Sequence, residues 1–271
     1  ERLASGDVPL VVGTHALFQD DIVFRNLALA VVDEQHRFGV HQRMLLADKG
    51  QAVDVLLMTA TPIPRTLMLA AYGDLDESQL RDKPAGRKAV VTTTASIDRL
   101  EDAANGVRRQ IDSGGKVFWV CPLVEESETI DVAAATARHA ALQQRFGDRV
   151  GLVHGKMTGK EKDAVMARFA GKAKPGLDIL VATTVIEVGV DVPDATVMII
   201  EHAERFGLAQ LHQLRGRIGR GSRDAPCVLL YGHDAGKTAR ERLRVLRDTD
   251  DGFEIAEQDL RLRGAGDVLG T

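Results

Sequence analysis

Leu27-Ala28-Leu29-Ala30-Val31-Val32-Asp33-Glu34-Gln35-His36 is the stretch on which the fold turns. Its apolar half is short and reads as a strand of an α/β sheet. The two acids then stand at the strand's carboxyl end, where open parallel sheets gather their ligand chemistry. Asp33 offers a hard oxygen to a magnesium ion, and Glu34 beside it can orient or deprotonate an attacking water. The pair is what one half of an ATP-hydrolysing site requires. Taken alone, the same ending is equally a strand meeting solvent, and only its company along the chain decides between the two.

Working outward, short apolar runs alternate with helical patterns. Strands are predicted at Leu10–Val12, Leu27–Val32, Val53–Met58, Val117–Val120, Val150–Val153, Ile179–Ala182, Val197–Ile200 and Cys227–Tyr231. That alternation marks parallel βαβ units rather than a sandwich or a bundle. The polar segment Arg81–Lys88, punctuated by Pro84 and Gly86, reads as a linker between two such units. Toward the end the alternation stops. Ala239, Leu243 and Leu246 fall at helical spacing and a second helical stretch, Ile255–Leu260, follows Asp251-Gly252, predicting a helical hairpin.

Length and composition agree with this outline. The 271 residues are 44% hydrophobic and 27% charged, values of an ordinary globular protein with room for two domains. No apolar run approaches the roughly 20 residues needed to cross a bilayer. The first residues lack signal-peptide character, and an initial Glu rather than Met reads as a piece of a longer protein. Cys121 and Cys227 have no His or Cys at ligand spacing and read as core thiols of a reducing cytoplasm. A formal charge of −4 excludes a uniformly basic surface. Arg205, Arg215, Arg217, Arg220 and Arg223 nevertheless follow one another with no acid between them, so any nucleic-acid contact is local.

Three further strings join the acidic pair. Met58-Thr59-Ala60-Thr61-Pro62 ends an apolar strand with two small hydroxyls that could relay loss of a phosphate, although Thr-rich strand ends with Pro are common loop starts. Ala182-Thr183-Thr184 through Gly189 and Asp191 offers hydroxyls for a phosphate backbone, a glycine for close approach and an acid for a ribose. A strand, a turn and a second short strand would read the same way. Gln213-Leu214-Arg215-Gly216-Arg217-Ile218-Gly219-Arg220-Gly221 places Arg217 and Arg220 three residues apart, on one helical face if the helix reaches that far. Guanidinium forks grip phosphate oxygens, and an arginine presented by one domain to a phosphate held by another is a finger arrangement. A solvated basic helix end is the plainer alternative.

These strings resemble motifs II, III, V and VI of superfamily-2 helicases. The wording DEQHRFGVHQR, MTATPIPRTLML, YGDLDES, CPLVEESE, HGKM, ATTVIEVGVDVPDATVMIIE and AERFGLAQLHQLRGRIGRG is similar, through essentially the whole chain, to the bacterial RecG family of branch-migration helicases. The related Mfd translocases share many strings but typically carry DEEQRFG where this chain has DEQHRFG, and are the alternative. A non-catalytic nucleic-acid-binding module is the alternative from another class.

The resemblance implies two RecA-like parallel-sheet units, the first truncated, followed by a C-terminal helical hairpin. Residues 1–85 would hold motifs II and III, 86–235 motifs IV to VI, and 236–271 the hairpin with part of a translocation motif. It further implies that Asp33 binds Mg2+, that Glu34 activates water, and that Gln35 and His36 sense the bound ATP. Thr59 and Thr61 would couple the ATP and DNA sites, while Gly189 and Asp191 would line the nucleotide site. Gln213, Arg217 and Arg220 would complete it. Gly13, Thr14, His15, His154, Gly155, Lys156, Thr183, Thr184, Arg261 and Arg263 would lie near DNA. For His15 and His154 a structural histidine is an equal reading. Branched and double-stranded DNA are the implied partners, with single-strand-binding protein as a further one. A monomer in the bacterial cytoplasm, associated with the nucleoid, is the implied setting. The chain departs from the usual Gly-Pro-Gly-Glu with Gly264-Ala265-Gly266-Asp267.

One string is a decoy. Gly236-Lys237-Thr238 follows an apolar strand as a phosphate loop would, but GxxxxGK[ST] needs a glycine five residues earlier, where Tyr231 stands. Gly232 is one residue too close, so the string reads as the start of a helix. Such a loop is expected upstream of Glu1, and without it the 271 residues are expected to be inactive.

Overall fold

Two parallel strands, β1 (Leu29–Val32) and β2 (Asp54–Leu57), form the centre of the first of two compact units, Glu1–Pro62 and Ile63–Thr271. The computed structural model describes residues 2–19, 21–34, 49, 53–60, 62, 76–82, 89–122, 128–183, 192–221 and 223–263. In β1 the pleat turns Ala30 and Val32 into a small core with Leu27, Val53 and Leu57, and turns Leu29 and Val31 outward. The Lys49 ammonium clamps the preceding loop by donating to the carbonyls of Gln19 and Ile22, each at 2.7 Å. The predicted strand at Leu10–Val12 is not one. That segment pairs with no neighbouring strand among the described residues, and its Leu10 and Val12 side chains are 79% and 89% exposed. An apolar run becomes a strand only where a ladder partner takes its N–H and C=O groups.

The second unit is built on a six-stranded sheet, wholly parallel, in the order β3-β8-β7-β4-β6-β5. The strands are β3 (Val90–Ser96), β4 (Lys116–Val120), β5 (Val150–Val153), β6 (Ile179–Ala182), β7 (Ala195–Ile200) and β8 (Ala225–Tyr231). Strand β3, which the sequence reading did not find, lies at the sheet's edge; its Thr92-Thr93-Thr94 run lacks an apolar signature yet suits a partly exposed pleat. In β4, alternation sends Val117 and Trp119 to one face and Phe118 and Val120 to the other, all buried. Helices α1 (Leu100–Asp112) and α2 (Glu128–Phe146) cover the first face. The second is covered by α3 (Gly159–Phe169), α4 (Leu208–Arg215), α5 (Lys237–Asp248) and α6 (Gly252–Arg263). The result is a three-layer α/β/α unit buried on both faces, as all-parallel sheets require.

Connectivity explains where a site can form. From β4 the chain crosses past the β6 position to β5, returns to β6, and then crosses β4 to β7. The onward connections of β7 and β4 leave in opposite directions, toward β8 and β5, so the switch falls between these two strands, and their carboxyl ends open the crevice in which such sheets bind ligands. Helix α3 starts cleanly because Thr158 and Glu161 form a reciprocal capping box. The expected hairpin is present as α5 and α6, and Gly236 is the residue that caps the start of α5, so the decoy string is a helix start. No helix among the described residues is long and apolar enough to cross a membrane.

Candidate nucleotide and nucleic-acid site

The acids lie where the sequence reading placed them, directly after β1. Asp33 is exposed, and its Oδ1 accepts the Glu34 N–H at 2.8 Å. Glu34 itself takes a left-handed conformation, φ 52°, which non-glycine residues adopt only when the surroundings impose it. Thr59 follows the neighbouring strand β2, and because Met58 N–H donates to Val32 O at 2.8 Å, Asp33 and Thr59 share one carboxyl edge. Gly13, Thr14 and His15 are exposed; the Thr14 hydroxyl caps the short turn His15–Phe18 by accepting the Ala16 N–H at 3.5 Å. Gln35, His36 and Thr61 lie outside the described residues.

In the second unit the carboxyl edge carries His154 after β5, Thr183 after β6, Glu201 and His202 after β7, and Gly232 after β8. Thr183 is fully buried, and its hydroxyl finds no hydrogen-bond partner among the described residues. His154 is half-buried, with Nδ1 likewise unpartnered, whereas Gly155 and Lys156 are exposed. Strands β5 and β6 pair Val153 with Ala182, so His154 and Thr183 are neighbours at the ends of adjacent strands. Thr184, Gly189 and Asp191 lie outside the described residues.

Beneath this edge sits a network that sequence reasoning missed. The Glu201 carboxylate is buried, accepts Trp119 Nε1–H at 2.5 Å, and takes a fork from Arg138 on α2 at 2.5 and 3.0 Å. Burial by itself would lower the Arg138 pKa, but the hydrogen bonds to Glu201 raise it. Burial, with Glu201 adding to it, holds the neighbouring Cys121 thiol far above its ordinary range. A charged residue directly after the apolar run Val197–Ile200 was the available signal. His202, at φ 46°, contacts Glu204 at 3.0 Å, and Glu204 accepts the Gly232 N–H at 3.1 Å. A Cβ at Gly232 would come within 2.6 Å of Asp234 Oδ1, so this corner favours glycine.

The arginine string divides into two jobs. Arg215 ends α4 on the same face as Leu208, Leu211 and Leu214, and it is only 4% exposed. Its Nη1 donates to the carbonyls of Leu246 and Thr249 at 2.7 and 2.9 Å, so it pins the end of α5; burial lowers its pKa. Its spacing from Leu208 and Leu211, seven and four residues, was the sequence signal for a core-facing cation. Arg217 and Arg220 do not share a helical face, because α4 stops at Arg215, Gly216 caps it and Gly219 turns left-handed at φ 70°. They project from the turn beyond, which the fully buried Ile218 anchors, with Arg220 exposed and Arg217 half-buried. Gln213 is half-buried on α4, and Arg261 is exposed on α6. Arg263 ends α6, and its side chain lies outside the described residues.

A groove of about 390 Å³ lies elsewhere, between α1 and the faces of β3, β7 and β8, and is lined by Thr93, Arg99, Asp102, Arg109, Val228 and Leu230 among others. None of the sequence-predicted residues borders it. Among the described residues no three metal-capable side chains gather.

Residues 96–222 match the family described as "Helicase conserved C-terminal domain". Over its full length the chain is 54% identical to the ATP-dependent DNA helicase RecG of Escherichia coli K12 and 48% identical to that of Bacillus subtilis, covering 40% and 39% of those proteins. Against the Thermotoga maritima RecG it is 51% identical over 99% of the chain and 34% of that protein. The solved structure of a RecG bound to a three-way DNA junction superposes with a TM-score of 0.76 at 48% identity, over 98% of this chain and 34% of that one. Yeast Dbp5 bound to RNA, at 13% identity and a TM-score of 0.60 over 92% of this chain and 66% of that one, shares the fold alone. The chain spans about two-fifths of the length of its curated relatives. The match runs from end to end, on a fold of RecA-like parallel sheets, so the chain is similar throughout to about two-fifths of the length of proteins named RecG.

Proposed function

We propose that the chain is part of an ATP-dependent DNA helicase that remodels branched DNA, such as stalled forks and Holliday junctions, in repair and recombination. The observation that carries this reading is the end-to-end likeness, at 54% identity, to a protein named ATP-dependent DNA helicase RecG. In this reading the intact enzyme works as a monomer in the bacterial cytoplasm, at the nucleoid, with single-strand-binding protein as a partner.

The residues present suit a magnesium nucleotide. Asp33 is an exposed carboxylate at a parallel strand's carboxyl end, with one oxygen steadied by a backbone N–H, and would hold the cation. Such an ion would supply charge neutralisation at the phosphates. Glu34 takes the proton of the attacking water. Gln35 and His36 read the nucleotide, and Gly189 and Asp191 hold its sugar side. Arg217 and Arg220, which lie beyond the end of α4, stabilise charge on the transferred phosphoryl group, with Gln213 orienting it. Thr59 and Thr61 pass the loss of the phosphate to the DNA-facing segments, Gly13 to His15, His154 to Lys156 and Thr183-Thr184. The α5–α6 hairpin, through Arg261 and Arg263, converts that movement into steps along duplex DNA.

The 271 residues contain no GxxxxGK[ST] string. DNA-stimulated ATP hydrolysis is therefore expected of a longer form that carries one and not of this chain alone, and Glu34→Gln in the longer form should silence it. Turnover by the chain alone would mean that a phosphate loop exists in a form not recognised here.

A further inference from the structure

At the mouth of the crevice, where the connections from β4 and β7 part toward β5 and β8, lies a buried ion pair that the phosphoryl-transfer roles above do not use. Glu201 directly follows β7, and its backbone N–H donates to Val120 O at 2.9 Å, which keeps it level with the end of β4. Its Oε1 accepts the Trp119 indole N–H and the Arg138 Nε–H, both at 2.5 Å, and its Oε2 accepts Arg138 Nη2–H at 3.0 Å. The Arg138 guanidinium also lies over the Trp119 ring, 5.8 Å from its centroid. One carboxylate thereby joins β4, β7 and α2, and a planar fork fixes its direction as well as its charge.

Stability does not account for such a pair. The desolvation of two charges offsets most of their attraction, and packed apolar side chains of similar volume commonly do as well or better. What a fork adds is orientation. Only residues 202–207 separate Glu201 from α4, the helix that leads to Arg217 and Arg220. This connection reverses at His202, whose φ of 46° persists only where the surroundings impose it. On its far side Glu204 accepts the Gly232 N–H at 3.1 Å, and the Glu204 carbonyl accepts Arg242 Nη2–H at 3.2 Å. Beyond the reversal, Ala203, Phe206, Leu208, Leu211, Leu214 and Ile218 belong to one buried cluster. A close-packed run of this kind passes a displacement along instead of absorbing it, so the pose of Glu201 is felt at the turn that carries Arg217 and Arg220.

We propose that Glu201, with Arg138 as its partner, is a positioning residue for ATP hydrolysis: the fork sets the pose of the His202 turn and, through α4, aims Arg220. This rests on the phosphoryl-transfer role given to Arg220 above.

The test is ATP turnover by the longer form that carries a GxxxxGK[ST] loop, with a urea melt of every variant. R138M/E201Q removes both charges while the Gln amide oxygen still serves the Trp119 indole. It should lower kcat about 10- to 100-fold, as a displacement of about 1 Å does, with KM for ATP and the urea midpoint unchanged. R138K keeps the charge, loses the fork and should lower kcat likewise; it carries the test if the neutral pair fails to fold. In an R220A background either change should cost less than about twofold, because the group that the fork aims is gone. R149Q/D178N removes an ion pair at the opposite, amino end of the sheet and should leave kcat unchanged. Retained kcat in the fork variant, a raised KM at unchanged kcat, an equal loss in R149Q/D178N, or the full loss repeated in the R220A background would each overturn the positioning role. If R220A itself turns over near wild type, the role of Arg220 falls and the positioning role falls with it; if R220A is slow and the fork variants are fast, the positioning role alone falls.

Discussion

The two units use the same parallel pairing but close their cores to different degrees. In the second, β6 and β7 are buried at every residue and helices cover both faces. In the first, β1 buries only Ala30 and Val32, while Leu29 and Val31 stand 57% and 53% exposed beside an outward-facing Leu56. Both sets of strands read alike in the sequence, as short apolar runs. An apolar run therefore reports that a strand forms, and what covers its second face is a separate question that only tertiary structure answers.

That contrast should be visible in stability. Trp119→Ala removes a fully buried ring and leaves the Glu201 and Arg138 pair short of a partner; it should cost about 3–5 kcal/mol in a urea melt of the second unit. A loss below about 1 kcal/mol would mean that this core is not closed as described. Arg215→Ala should follow at about 2–3 kcal/mol, since the carbonyls of Leu246 and Thr249 lose a charged donor, while Arg220→Ala stays within about 0.5 kcal/mol. Equal costs for the two arginines would erase the division of labour between them.

A pH effect comes next in size. Burial pushes the Cys227 thiol up to about 12 from an ordinary 9.0, and Cys121 rises as well. An acid with a raised folded pKa keeps its proton in the native state while the unfolded chain releases it. Stability is then full below pH 9 and falls as pH rises from 9 toward 12, by about 1 kcal/mol per thiol in the first unit of pH. Cys227→Ala should flatten that fall, and both thiols should react with alkylating reagents only as fast as the second unit opens. Alkylation at the rate of a free thiol would show that they are not buried. Smallest of all, Val31→Thr on the exposed face of β1 should shift stability by no more than about 0.5 kcal/mol. The β1 and β2 amides should exchange with deuterium well before those of β4, β6 and β7, and matched protection in the two units would remove the contrast altogether.

Legibility followed the same line. The strands with apolar runs, the hairpin and the helix start at Gly236 could be read directly, because periodicity and failed loop spacing are local properties. Leu10–Val12 was read as a strand for its composition, and β3 was passed over because threonines carry no hydrophobic signal. The acids and arginines could be found from residue type. That Arg215 is a structural pin, that Arg217 and Arg220 sit beyond the helix, and that Glu201 is held by Trp119 and Arg138 all depend on burial and on chain reversal, which spacing does not encode.

The proposed function stands on Glu34 and Arg220 each acting in ATP hydrolysis. Its most direct test is ATP turnover in a longer form carrying a GxxxxGK[ST] loop, with Glu34→Gln and with Arg220→Ala. Each change should cost at least about 10³-fold in kcat with duplex binding retained. Turnover near wild type in either variant would contradict it.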